Sequence, residues 1–138
     1  MSNRFSVLMW AAWILALCAG CTPSETVPVK GVLLRNGKPL PNYAVTFYPA
    51  KGRTSIAITD AEGRFEMIYT DELRGVVPGK HKVTAHYAPP AVASYDAVDN
   101  PVPPADAKAI EEKYGTPQVT QKEIEINEPQ TDFQLTLD

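Results

Sequence analysis

From residue 27 onward apolar side chains recur at every second position, and Gly, Pro, Asn or Asp interrupts the pattern about every dozen residues. A period of two fits a strand with one face on a core, and the interruptions keep each strand short, so the chain is predicted to be all-β. Seven strands follow. In 27–34 Val27, Val29 and Leu33 share a face; in 43–48 Val45 and Phe47 point inward and Pro49 ends the run; 54–59 alternates Ile56 and Ile58 with smaller neighbours. In 64–69 Phe65, Met67 and Tyr69 share a face, in 79–87 Val83, Ala85 and Tyr87 point inward, and 120–126 and 131–137 alternate around "NEPQ". One stretch, "ADAKAIEEKYG" (105–115), has helical period, with Asp106 placed to cap it and Gly115 to stop it. Seven short alternating strands in about 110 residues predict an antiparallel Greek-key sandwich.

Between the third and fourth strands stands "TDAEGRF" (59–65), with two carboxylates two residues apart and a glycine behind them. Calcium loops need more oxygen ligands, and the D-x-[DN]-x-[DN]-G spacing with flanking helices is missing, so a cation site and a catalytic acid pair are the lesser readings. A hairpin turn needs only what is present: Asp60 can bond backbone amides within the turn, and Gly63 can take positive φ.

The N-terminus answers to export. Arg4 is followed by an uncharged, mostly apolar run, 5–20, shorter than the ~20 residues of a spanning helix and ending in small residues before Cys21. Residues 1–20 therefore read as a signal peptide, 21–27 as a polar tether and 28–138 as one domain. The string "LCAGC" resembles the lipobox of bacterial lipoproteins, whose cysteine is acylated and becomes the new N-terminus; Ala19, Gly20 and Cys21 match, while Cys18 stands where the family usually has Leu. The alternative is cleavage near Gly20 that leaves Cys21 a free thiol. With Cys18 removed and Cys21 acylated, no disulfide is possible and the fold rests on its core. The resemblance implies a cell-envelope protein held to a membrane by lipid.

Past residue 20 the chain keeps twelve basic and sixteen acidic residues, a net charge of −4, which argues against nucleic acid as a partner. Its two histidines, His81 and His86, lie five apart on one strand and so on opposite faces, and no serine sits in a G-x-S-x-G setting. Both histidines read as surface residues, and no catalytic residue, metal or cofactor is expected. Residues 88–119 form an excursion far longer than a hairpin needs and rich in proline. Its second half, ending the helical stretch at Tyr114, is expected to dock on the sheet.

T-D-x-x-G-x-F followed about a dozen residues later by P-G-x-x-x-V resembles the signature of carboxypeptidase-regulatory-like domains, which are transthyretin-like sandwiches. Here the strings are "TDAEGRF" and "PGKHKV", and "VKGVLLRNGKPLPNYAVTFYP" upstream is similar to the family's opening, so the likeness covers residues 29–87. Downstream, "IEEKYGTPQVTQKEIEI" and "DFQLTL" resemble the tail of small bacterial lipoproteins carrying this domain, with Glu111 where they often have proline. The resemblance implies a non-enzymatic β module in which Asp60, Gly63 and Gly79 serve turns. Transthyretin-like hydrolases share the sandwich but end in Y-R-G-S, whereas this chain ends "DFQLTLD". Two classes remain: a module that binds glycan, peptide or another envelope protein, and a purely structural lipoprotein. An exposed aromatic platform would favour the first, its candidates being Tyr48, Tyr95 and Tyr114, with packing at loop bases as the plainer role; Tyr95 and Tyr114 lie on the excursion and are the expected partner contacts.

Overall fold

Pairing of the alternating segments produces two sheets in a computed structural model, which describes residues 26–90 and 102–138. The strands are β1 (Val29–Arg35), β2 (Lys38–Pro39), β3 (Tyr43–Pro49), β4 (Ser55–Ile58), β5 (Arg64–Glu66), β6 (Gly79–Tyr87), β7 (Glu123–Ile126) and β8 (Gln130–Leu137), with one helix, α1 (Ala107–Tyr114). One sheet has the order β4-β3-β6-β7, antiparallel throughout. The other is built on β1: β8 runs along its whole length, and β5 and β2 pair antiparallel with successive parts of it. Leu33, Val45, Phe47, Phe65, Met67, Val83, Leu135 and Leu137 fill the space between the sheets, each 5% exposed or less. Phe47 meets Phe65 edge to face across it, with centroids 6.5 Å apart.

The expected antiparallel arrangement needs correction at β8, which runs parallel to β1, and at the final pair, which is not a hairpin. Its two members join different sheets, β7 beside β6 and β8 beside β1, so the residues between them carry the chain across the core. Among the described residues the strand count also rises from seven to eight, because Asn36 and Gly37, at φ 50 and 74, fold β1 back into the two-residue β2. The strand expected at 120–126 starts at Glu123, since the Thr120 hydroxyl is used to bond the Val83 carbonyl (2.6 Å).

The phase of β4 is the opposite of its hydrophobicity. Ile56 and Ile58 are 47% and 63% exposed, while Ser55 and Ala57 are buried. Register decides this: Val45 and Phe47 point into the core, their partners across β3–β4 are Ala57 and Ser55, and those partners must point the same way. Thr59 fixes the register, accepting from the Tyr43 amide (2.9 Å) and donating to the Leu40 carbonyl (2.6 Å).

The helix forms where its period placed it and docks as expected, burying Ala107, Ile110 and Tyr114. Asp106 occupies the N-cap position but makes no cap bond; its carboxylate pairs instead with Arg35, 3.3 Å away. Gly115 ends the helix in right-handed conformation (φ −68), so it stops the chain without the left-handed turn that usually calls for glycine.

The strand directions give the domain two poles. Val27 is fastened to Val76 by two backbone bonds (2.8 and 2.9 Å), so the last residues assigned to the tether belong to the domain. The loops 50–54, 69–78 and 127–129 gather at this tether pole, marked by the pairs Val27–Val76, Ile56–Ile68 and Val29–Gln130. At the opposite pole lie the 36–37 turn, the 60–63 turn, the exit of β6 where the Ala88 amide bonds Asn42, and the return of the chain at Asp106.

Candidate functional site

"DAEG" is a turn. The Gly63 amide bonds the Asp60 carbonyl (3.0 Å) and the Asp60 amide bonds the Arg64 carbonyl (2.9 Å), the pattern of a tight turn with glycine at positive φ, here 74. Asp60 Oδ1 accepts from the amides of Glu62 (2.9 Å) and Arg64 (2.8 Å), and Oδ2 faces Arg64 Nε at 3.4 Å. The Arg64 amide bond is the main cause holding the Asp60 carboxyl below the usual aspartate value. Both carboxylate oxygens are thus spent on the chain itself. The hairpin opens beyond the turn: β4 joins one sheet and β5 the other, and the arms meet again only where Ile56 and Ile68 exchange backbone bonds (3.0 and 2.8 Å).

Gly63 is needed for space as well as for φ. A Cβ there would stand 2.9 Å from Pro39 Cβ and 3.0 Å from both the Leu33 oxygen and the Leu40 nitrogen. Positive φ and this crowding each cost a side chain about 1–3 kcal/mol, so Gly63→Val should lower unfolding stability by about 2–6 kcal/mol in a urea titration. Glu62→Ala removes only an exposed ion pair to Arg64 (3.2 Å) and should change it by less than about 0.5 kcal/mol. A calcium-dependent melting shift abolished by Glu62→Ala would instead restore the cation reading.

The turn borders a groove of about 710 Å³ on the outer face of the β5-β1-β8 sheet. Gly31, Val32, Gln134 and Asp132 line it, together with the ion pairs Lys30–Glu66 (3.4 Å) and Arg64–Asp60. Such a groove can hold a polar chain through matched charges. A second groove, of about 590 Å³, runs between α1 and residues 119–122.

Tyr114 is among the residues lining that second groove. The ring is 4% exposed in the core, and its hydroxyl donates to the Asp138 carbonyl (3.2 Å) and accepts from the Asp138 amide (3.0 Å). The expectation that Tyr114 contacts a partner is therefore corrected: it pins the C-terminal strand to the helix. Tyr48 is half-buried on β3, and Gly79, expected to serve a turn, is the first residue of β6, at φ 129. Cys21 and Tyr95 lie outside the described residues.

His86 is exposed, but His81 is only 2% exposed, contrary to its reading as a surface residue. It falls in phase with Val83 and Ala85, its ring lies 5.8 Å from Phe47, and Nε2 sits 2.7 Å from the Val77 carbonyl, which fixes the proton on Nε2 and leaves Nδ1 buried without a partner. Burial, only partly offset by the Val77 bond, holds its pKa below the ordinary histidine value. An unfolded chain then takes up a proton near pH 6.5 that the folded chain refuses, so stability is full above that pH and falls as pH drops below it. Nuclear magnetic resonance should show the His81 ring titrating with a midpoint below 6.5; a midpoint at or above that value would contradict this burial account. Among the described residues no group of three or more His, Cys, Asp or Glu side chains could hold a metal ion. No family model, curated protein or solved structure matches the chain.

Proposed function

We propose that the protein is a non-enzymatic, lipid-anchored module of a bacterial cell envelope, held to its membrane through Cys21 and presenting its far pole to whatever it contacts. The observation that carries this reading is the polarity of the fold. The chain is pinned at Val27, six residues from Cys21, while the proline-rich excursion leaves β6 and returns at Asp106 on the opposite pole. Such an arrangement holds the two described ends of the excursion, Ala88 and Asp106, at the pole away from the bilayer. The commitment of both Asp60 oxygens to the turn and the placing of His81 and His86 on opposite faces support a binding or structural role over a hydrolytic one.

The charge-lined groove over Gly31 favours, as a second reading, an accessory module that takes an extended polar ligand, a glycan or a peptide. Anchoring is tested by fractionation. Cys21→Ser should move the protein out of the membrane fraction into soluble material or uncleaved precursor, because each acyl chain contributes about 0.8 kcal/mol per buried CH₂ and more than one makes the attachment stable. A correctly cleaved Cys21→Ser protein still partitioning to membranes would overturn the proposal.

A further inference from the structure

Given the lipid anchor, which is the reading this step rests on, the domain has little choice in how it faces the bilayer. Thr26 is tied to the Arg74 carbonyl (3.2 Å) and Val27 to Val76, so only five steps of chain separate Cys21 from the domain at Thr26, at most about 18 Å. Val27 and the far end of β1 at Arg35 are about 26 Å apart along the strand, at about 3.3 Å per residue. The domain therefore cannot stand on its far pole, since the tether would have to reach around the body of the sandwich.

What the tether pole offers is amphipathic. Thr70 to Leu73 form a tight turn, closed by the Leu73 amide on the Thr70 carbonyl (3.2 Å) and hydroxyl (3.1 Å), and Leu73 is 39% exposed on it. Ile56, 47% exposed, lies beside it through the Ile56–Ile68 and Ile68–Arg74 bridges. Lys51, Arg53 and Arg74 are exposed at the same pole and make no ion pair among the described residues. We propose that this pole is a membrane-contact surface, with Leu73 and Ile56 entering the interfacial region of the bilayer and Lys51, Arg53 and Arg74 at headgroup level. Asp71, Glu72 and Glu128 share the pole and cancel those cations, so the contact follows from tether length and the exposed Leu73 and Ile56, without preference for anionic lipid.

The test uses the full acylated protein in phosphatidylcholine nanodiscs, with one fluorophore on Leu73→Cys or on Lys38→Cys at the opposite pole. Acylation occupies Cys21, so only the new thiol takes the label. Lipids carrying a nitroxide in the acyl chain should quench the label at 73 several-fold more than the label at 38, and replacing part of the phosphatidylcholine by phosphatidylserine should leave that ratio unchanged. Equal quenching at both sites in protein that stays with the nanodiscs overturns the contact surface while the anchor stands. Protein that leaves the nanodiscs, or takes a second label at Cys21, overturns both.

Discussion

Replacing Gly31 by valine is expected to abolish the native fold. Gly31 lies in β1 where its register against β8 slips, and there the Phe133 backbone comes so close that an added Cβ would run into its carbonyl, 2.9 Å from the carbonyl carbon and 3.0 Å from Phe133 Cβ. Backbone atoms of a paired strand cannot yield as a flexible side chain can, so the substitution must separate β1 from β8. That separation removes the parallel ladder from Gly31 to Arg35 and uncovers Leu135 and Leu137, which are 1% and 0% exposed. Two Leu side chains returned to water cost about 3–6 kcal/mol, against a total stability of about 5–15 kcal/mol for a domain. Circular dichroism of Gly31→Val should show no cooperative melting transition. A variant that melts within a few degrees of the parent would mean that β8 does not pair with β1 as described.

The second large effect separates two residues of similar hydrophobicity. Phe47 is fully buried, stacked edge to face on Phe65 and beside His81, whereas Ile58, on the neighbouring strand, is 63% exposed. Truncating a buried Phe to Ala removes its transfer energy and leaves a cavity, so Phe47→Ala should destabilise by about 3–5 kcal/mol. Ile58→Ala should fall within about 0.5 kcal/mol of the parent, as surface changes usually do. Chemical denaturation of the two variants side by side reads both values, and a cost at Ile58 comparable to that at Phe47 would show that β4 faces the other way.

That contrast also marks how far the amino-acid sequence could be read. The two-sheet β character, the turn at 60–63, the helix at 107–114 and the inward faces of β3 and β6 follow from alternation and turn chemistry, which are local. The phase of β4 does not, because alternation alone permits either face to be inward, and the choice was made by cross-strand pairing with Val45 and Phe47. The parallel partnership of β1 and β8 joins residues a hundred positions apart, and nothing near "NEPQ" distinguishes a hairpin from a crossing between sheets. His81 shares its alternation with Val83 and Ala85, a phase that places it inside despite its polarity. A glycine inside a strand pattern commonly marks close backbone approach, and Gly31 carried that signal too. The groove that Gly31 lines was not legible at all, since its lining comes from β1, β4, β5, β8 and the 60–63 turn and exists only once those parts are assembled.

The account of a lipid-anchored domain rests on the chemistry of Cys21. Mass spectrometry of the N-terminal peptide of protein extracted from host membranes measures it directly. The account predicts that the peptide begins at Cys21 and carries acyl groups on that residue; a peptide that begins elsewhere, or begins at Cys21 with an unmodified thiol, would contradict it.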